Sequence, residues 1–294
     1  MNKPHKNQPQ VIEELRPGQS IELLKALHIL TRDGKLNQDT RHKLKQVYHL
    51  YQLIEPLLND VLKGDAAFTL ADHGAGKSYL GFILYDLFFN VAHAGQALGG
   101  HVYGIETRPE LVDASRVLAA HLGFERMSFL NLSVKEAATS VGLPSRISII
   151  TALHACDTAT DDAIAFGLAK QAQHMAIVPC CQAEVAGILK KNKALNLTQT
   201  PLAELWRHPL HTREFGSQIT NVLRCLQLQA NGYAVTVTEL VGWEHSMKNE
   251  LILASRPTLP DRAKTQAAQA RLQQVLDTLG LTELARRFAV QTSQ

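Results

Sequence analysis

The chain has 294 residues, of which 45% are hydrophobic, enough for one large α/β domain with an appendage and a sizeable core. No apolar run reaches the roughly 18 residues of a membrane span, and residues 1–10 lack the apolar stretch of a secretory signal. The four cysteines show no disulfide framework, so we expect reduced thiols and a cytoplasmic location. The net charge of +3 resides in residues 1–63, and this mild basic bias permits contact with nucleic acid without requiring it.

Two helices are predicted before the first strand, at about residues 20–31 and 40–62. The second has apolar residues with a period close to 3.6. Arg41, Lys43 and Lys45 cluster at its start. We interpret them either as a solvated helix end or as a phosphate-contacting patch of a substrate-holding cap.

From residue 66 onward, predicted strands and helices alternate, which indicates a parallel sheet covered on both faces. A short loop joins the last two strands, so these should pair as an antiparallel hairpin. We predict a helical segment at 1–64, an α/β domain at 65–256 and a helical tail at 257–294. The predicted strands are 66–71, 101–106, 127–132, 146–153, 174–179, 233–241 and 249–255, and the predicted helices between the first five are 77–90, 108–122, 134–140 and 159–172.

The segment Ala66–Leu80 carries the clearest ligand-binding pattern. An apolar strand ends at Asp72, a turn containing Gly74 and Gly76 follows, and an apolar-periodic helix begins. Glycines allow backbone to approach a ligand closely, and the first turn of a helix has unsatisfied N–H donors. The segment therefore predicts a cradle for the polar half of a nucleotide-like ligand.

Two ligand classes compete for this cradle. Gly76–Ser78 ends like a phosphate loop, but Ala71 stands where that loop needs its first glycine. Only three residues separate Asp72 from Gly76, too few to wrap two phosphates. S-adenosylmethionine (SAM) instead needs one acidic residue at the first strand end and a second, at the next strand end, for the ribose hydroxyls. Glu106 ends the next predicted strand, so the sequence favours SAM over a nucleoside triphosphate.

Polar and nucleophilic residues follow the fourth and fifth predicted strands, where ligands of open parallel sheets bind. His154 is the natural base for a hydroxyl acceptor, with Asp157 orienting or replacing it; alternatively, His154 is only a hydrogen-bonded strand-end residue. Cys180 and Cys181 are interpreted as packing thiols, or as nucleophiles that add to C6 of a pyrimidine. A zinc site that includes Cys156 is disfavoured because adjacent cysteines suit one tetrahedral ion poorly, and we expect no metal.

The loop of the predicted hairpin is the third polar cluster. Its aromatic and polar side chains would form a lip that stacks on and holds a nucleobase, although many hairpin tips are merely solvated. The residues concerned are Trp243, His245, Lys248 and Asn249.

Four blocks together resemble a known family. They are Asp72-His73-Gly74-Ala75-Gly76-Lys77-Ser78-Tyr79-Leu80, Ala152-Leu153-His154-Ala155-Cys156-Asp157-Thr158-Ala159-Thr160-Asp161, Val178-Pro179-Cys180-Cys181-Gln182 and Glu244-His245-Ser246-Met247-Lys248-Asn249. Over about residues 40–256 the chain resembles class I SAM-dependent methyltransferases. Their doubly wound, mostly parallel, seven-stranded Rossmann-like sheet has the predicted inventory of five parallel strands and a terminal hairpin. The chain is also distantly similar to eukaryotic tRNA ribose 2′-O-methyltransferases, which have Gly in place of Asp157 and His in place of Gln182.

The resemblance implies a role for each matching residue. Asp72, Gly74, Gly76, Lys77 and Glu106 should hold SAM, with Asn131 and Leu132 near the adenine and His154 near the methyl group. It implies in-line methyl transfer from SAM to RNA, a tRNA or an rRNA. The alternatives are C5-pyrimidine methylation through a cysteine, methylation of a protein or small molecule, and SAM binding without catalysis in a regulatory or assembly protein.

Overall fold

The computed structural model describes residues 13–64, 67–96, 98–153, 158–179, 182–192, 201–240 and 250–289. One seven-stranded sheet organises this part of the chain, with strand order β3-β2-β1-β4-β5-β7-β6. The first five strands are parallel, and β7 is antiparallel to both β5 and β6. The predicted fold class, including the terminal antiparallel pair, is therefore confirmed. The strands are β1 (Ala67–His73), β2 (Gly99–Glu106), β3 (Met127–Asn131), β4 (Ile149–Leu153), β5 (His174–Val178), β6 (Ala234–Glu239) and β7 (Glu250–Ser255).

Helices cover both faces of the sheet. Within the described residues, no helix combines the length and apolarity needed to cross a bilayer. The helix α3 continues without a break into a π-helical segment at Asp86–Ala92, and two 3₁₀ segments lie at Pro201–Trp206 and Thr282–Leu284. The α-helices are α1 (Ile21–Ala26), α2 (Gln38–Gly64), α3 (Tyr79–Tyr85), α4 (Pro109–Leu122), α5 (Val134–Thr139), α6 (Thr158–Ala169), α7 (Glu184–Asn192), α8 (Pro209–Ala230) and α9 (Arg262–Thr278).

Alternate residues of each central strand enter two separate cores. One face packs against α2, α3 and α4, for example through Phe68 and Leu70 of β1. The other face packs against α5, α6 and α8, for example through Ala71 of β1 and Phe166 of α6. Because both faces are covered, β4 and β5 are buried at every position and their sequences are almost continuously apolar.

The long helix α2 packs on the face of the sheet that α3 also covers. Near its end, Asp60 Oδ2 lies 3.1 Å from His174 Nε2 at the first residue of β5. At its middle, the Tyr51 hydroxyl donates to the Leu87 carbonyl at 3.3 Å. Toward its start, the Tyr48 hydroxyl donates to Gln19 Oε1 at 2.6 Å, so this half of α2 lies against the segment that precedes α1.

Two predicted helices differ clearly in extent from the structure, and two observed helices have no predicted counterpart. The predicted helix at 20–31 ends at Ala26, because His28 adopts a positive φ of 56°. The predicted helix at 77–90 begins only at Tyr79 and extends to Ala92. The helices α7 and α8 were not predicted, although Pro209 at the first position of α8 marks a helix start.

Candidate functional site

The turn after β1 has an unusual backbone. Gly74, Gly76 and Ser78 all have positive φ, at 64°, 57° and 51°. Glycine adopts this conformation at no steric cost, whereas Ser78 carries a strain of about 1 kcal/mol. The Ala75 amide donates to the Ile105 carbonyl of β2 at 3.0 Å. The turn is therefore fastened across the ends of β1 and β2, with its glycines free of side chains where a ligand would lie.

Asp72 lies beneath this turn and is only 2% exposed. Its Oδ1 accepts from Thr151 Oγ1 of β4 at 2.9 Å, and its Oδ2 accepts from the Gly81 amide of α3 at 3.3 Å. Burial raises the pKa of Asp72 to about 6, against the opposing effect of these hydrogen bonds. A Cβ at Gly81 would lie 2.7 Å from Ser78 Oγ, so glycine is needed for this close packing. Asp72 thus anchors the start of α3, and its predicted contact with SAM stays a prediction.

Glu106 ends β2 as expected and has many hydrogen-bond donors around it. Its Oε2 accepts from the Gly76 amide at 2.7 Å, and its Oε1 accepts from the amides of Thr107 and Arg108 at 3.0 and 3.1 Å. The Arg108 guanidinium adds contacts of 3.0 Å to Oε1 and 3.2 Å to Oε2. Burial acts to raise the pKa of Glu106, but the hydrogen bonds and charge of Arg108, with the Gly76 amide, hold it at about 2. Glu106 is therefore a firmly ionised acceptor beside the glycine turn.

Arg108 is a residue that the sequence analysis missed. Its side chain is 59% exposed and covers both oxygens of Glu106. A carboxylate offers about four lone-pair positions, and Arg108 fills two of them. Ribose hydroxyls could use Glu106 only after the guanidinium moves away. The signal in the sequence is an arginine two positions after a strand-end glutamate and directly before Pro109, which begins α4.

Asn131 ends β3 and is fixed by the end of β2. Its Nδ2 donates to the carbonyls of Glu106 and Thr107 at 3.0 and 2.8 Å. The Leu132 amide donates to the same Glu106 carbonyl at 3.2 Å. Since its amide nitrogen is committed, the remaining polar group of Asn131 is its oxygen, an acceptor suited to the exocyclic amine of adenine.

Lys77 is exposed on the glycine turn.

The proposed transfer residues lie outside the described part of the chain, namely His154, Asp157, Cys180, Cys181, Trp243, His245, Lys248 and Asn249. The strands that precede the first two blocks are described. Leu153 ends β4 and Val178 ends β5, and the two residues are register partners in adjacent parallel strands. The two blocks therefore start from neighbouring points on one edge of the sheet.

A buried polar network joins α6, α8, the start of β7 and the residue Gln182 after β5. Arg224 of α8 is fully buried, and its Nε is 2.5 Å from Asp161 Oδ1 near the start of α6. Its Nη1 donates to Asn221 Oδ1 at 3.2 Å, and Asn221 Nδ2 donates to Glu250 Oε2 of β7 at 2.7 Å. The Gln182 amide, just beyond β5, lies between Arg224 and Asn221. Arg224 thus links α8 to α6 and to Gln182, and Asn221 extends the network to β7.

The predicted basic patch at the start of α2 is partly neutralised. Arg41 pairs with Glu14 at 2.9 Å, and Lys43 pairs with Asp39 at 2.9 Å. Lys45 is exposed and lines a shallow groove of about 350 Å³ together with Gln38, Arg41 and His42.

One protein family and several solved structures are similar to this chain. A family described as a methyltransferase domain matches residues 42–187. Among solved structures, the chain is similar to a putative O-methyltransferase from Klebsiella pneumoniae, at 13% identity over 84% of this chain and 94% of the other, with a TM-score of 0.47.

Two further solved structures show a similar level of likeness. Magnesium protoporphyrin IX methyltransferase from Synechocystis, with bound SAH, is 14% identical over 80% of this chain and 93% of the other, with a TM-score of 0.41. An rRNA methylase from Streptococcus thermophilus is 10% identical over 70% and 95% of the two chains, with a TM-score of 0.41. No curated protein matches the sequence. We infer nothing about the substrate from such distant likenesses.

Proposed function

The chain is a SAM-dependent methyltransferase, and from that premise we propose that it transfers the methyl group to RNA, a tRNA or an rRNA. The observation that carries the RNA assignment is the basic start of α2. Arg41, His42 and Lys45 line a groove on the surface there. A groove with basic side chains suits the phosphates of a nucleic acid.

The cofactor fits the residues at the first three strand ends. The glycine turn lets backbone approach it, Glu106 accepts from the ribose hydroxyls once Arg108 has moved, and the Asn131 oxygen accepts from the adenine amine. SAM supplies an already activated methyl group. The contribution of the protein is therefore mainly alignment of the acceptor with that group.

The proposed chemistry of transfer depends on residues after β4 and β5. If the acceptor is a hydroxyl, His154 removes its proton, with Asp157 orienting the imidazole. Cys180 and Cys181 would then line the substrate pocket. If the acceptor is C5 of a pyrimidine, one of these cysteines would instead form a covalent bond to C6. Reducing conditions, as in the cytoplasm, would suit both roles.

A cofactor titration tests the first half of the proposal. We expect isothermal titration to show binding of SAM and no binding of ATP. Gly74→Val should abolish SAM binding, because a β-branched residue strongly disfavours the positive φ of this turn and its side chain would block backbone approach. Tight ATP binding without SAM binding would contradict the cofactor assignment.

A transfer assay tests the second half. Wild type and His154→Ala are incubated with labelled SAM and either total RNA or a protein extract, and Gly74→Val serves as the binding-deficient control. We expect label in RNA with wild type and at least a 100-fold loss with His154→Ala, since general-base catalysis contributes about 10²–10⁴ in rate. Label in protein alone would overturn the RNA assignment, and a covalent adduct with 5-fluoropyrimidine RNA would favour the cysteine mechanism.

A further inference from the structure

His73 is a buried residue that neither the sequence blocks nor the function proposed above explains. It is the last residue of β1, directly before the glycine turn, and only 5% of it is exposed. Neither Nδ1 nor Nε2 has a hydrogen-bond partner among the residues that the structure describes. An unpaired polar group in such a position costs about 1–3 kcal/mol, so its presence calls for a reason.

The imidazole is placed firmly and is uncharged. Its ring packs against Phe166 of α6, with 5.8 Å between centroids. Burial lowers the pKa of His73 to about 4, although the charge of Glu106 opposes this. A neutral imidazole presents one N–H donor and one acceptor nitrogen. His73 therefore has two unused hydrogen-bonding functions held beside the cofactor cradle.

The arrangement of the strands indicates which end of the cofactor lies near His73. Glu106 on β2 and Asn131 on β3 mark the adenosine side, and both strands lie on one side of β1. A ligand across the strand ends with its adenosine over β2 and β3 has its other end over β1 and β4. Asp72 faces α3 and bonds Thr151 and Gly81, whereas His73 faces α6 on the opposite side of the sheet.

We propose that His73 binds the amino-acid end of SAM through an imidazole N–H donated to the carboxylate. The proposal rests on the SAM-dependent activity. It assigns to His73 the polar contact that the sequence pattern assigns to its neighbour Asp72. The unpaired imidazole N–H is then a cost of the free protein that cofactor binding removes.

The test is His73→Phe, which keeps a ring against Phe166 and removes both nitrogens. We expect its melting temperature without ligand to equal or exceed that of wild type, because an unsatisfied buried group is gone. The affinities for SAM and SAH should fall about 10-fold, as expected for a lost hydrogen bond to a charged group. The affinity for 5′-methylthioadenosine, which lacks the amino-acid end, should not change. His101→Phe on β2, whose native imidazole lies 2.8 Å from Ser128 Oγ, is the matched control and should bind all three ligands normally.

Each other outcome has a definite meaning. Unchanged SAM affinity in His73→Phe would overturn the proposal, and so would an equal loss of affinity for 5′-methylthioadenosine. If His73→Phe does not fold, His73→Asn and His73→Leu replace it, and equal SAM affinity of these two variants would reject the contact. Absence of SAM binding by wild type would instead reject the function on which the proposal rests.

Discussion

Two acidic residues at adjacent strand ends, Asp72 and Glu106, have pKa values displaced in opposite directions. Asp72 is enclosed by protein, so burial outweighs its hydrogen bonds and raises the pKa to about 6. Glu106 is also partly desolvated, but Arg108 and two backbone amides hold its pKa at about 2. Ionised Asp72 therefore destabilises the fold at neutral pH, whereas Glu106 stays ionised at any physiological pH.

The raised pKa of Asp72 predicts that Asp72→Asn stabilises the fold, and that this stabilisation depends on pH. The folded protein binds this proton more tightly than the unfolded chain, whose pKa is about 3.8. Ionised Asp72 therefore destabilises the fold above pH 6, and this cost fades as the pH falls from 6 to 4. We expect Asp72→Asn to raise the free energy of unfolding by about 2 kcal/mol at pH 7.5 and by little at pH 4. Urea denaturation across this range measures it, and an equal effect at both pH values would contradict the assignment.

The position of Arg108 over Glu106 predicts that removing its side chain increases the affinity for SAM. Its guanidinium is exposed, although the carboxylate of Glu106 is buried, and breaking such a half-exposed ion pair costs about 1 kcal/mol. Without the guanidinium, ribose hydroxyls meet no competitor, so Arg108→Ala should bind SAM up to about 5-fold more tightly at low salt, with a smaller gain at high salt. Arg207→Ala, which removes another exposed ion pair, is the control for titration calorimetry. Weaker binding by Arg108→Ala would show that Arg108 itself holds the cofactor.

For single residues, the sequence predicts which of them end a strand but not which side chains surround them. The positions of Asp72, Glu106 and Asn131 at strand ends follow from the alternation of apolar strands and turns. Whether a side chain is enclosed, as Asp72 is, or covered by a neighbour, as Glu106 is by Arg108, depends on residues from other elements. The burial of His73 against Phe166 was unpredictable for the same reason, because Phe166 belongs to another element.

Among the elements, α8 contributes most to the site without entering the predicted pattern. Asp161 looks from the sequence like an ordinary acidic residue in the first turn of a helix. In the structure it is buried against Arg224, which is 63 positions away. The alternating strands and helices around the cofactor are predictable because their periodicity is local. A buried ion pair between distant helices has no local signature.

The ion pair between α6 and α8 predicts that Arg224→Met strongly lowers the free energy of unfolding. Removing one partner of a buried pair leaves a buried charge and costs about 3–5 kcal/mol. Arg213→Met on the same helix removes an exposed contact with Glu214 and should cost less than about 1 kcal/mol. Thermal and urea denaturation measure both. The double variant Asp161→Leu, Arg224→Met should recover part of the loss, and equal effects of the two single variants would refute the structural role of Arg224.

For the whole molecule, the distribution of charge is more informative than its net value. The excess of basic residues lies in the first 63 positions, and the structure gathers part of it in the groove at the start of α2. Arg41 and Lys43 have acidic partners in Glu14 and Asp39. Lys45, exposed in the groove, is the best candidate for a phosphate contact.

This arrangement predicts the salt dependence of RNA binding. Lys45→Ala should weaken binding regardless of sequence and reduce the slope of log affinity against log salt by about 0.7–1, as expected for one lost phosphate contact. Lys264→Ala, on α9, should leave the slope unchanged. Filter binding at several salt concentrations measures both, and identical slopes for wild type and Lys45→Ala would remove Lys45 from the interface.

The overall division of the chain is less predictable than its sheet. The five parallel strands and the antiparallel end follow from the pattern of elements, whereas the strand order does not. The role of residues 1–64 as a substrate-holding cap and the separation of 257–294 as a tail remain predictions. The helix α9 packs against α8 through Leu272 and Leu276, so the last part of the chain shares a core with α8.

The last described residues of the chain also contact α6 and α7. Arg287 lies 3.9 Å from Asp161 Oδ2 and contacts Glu184 of α7. Proteolytic clipping after Thr278 would therefore remove Arg287 from Asp161, and at the same time take Leu281, Leu284 and Phe288 out of the core that α8 and α9 share. Damage at one end of the polypeptide would then loosen the ion pair of Asp161 near the start of α6, with no substitution close to it.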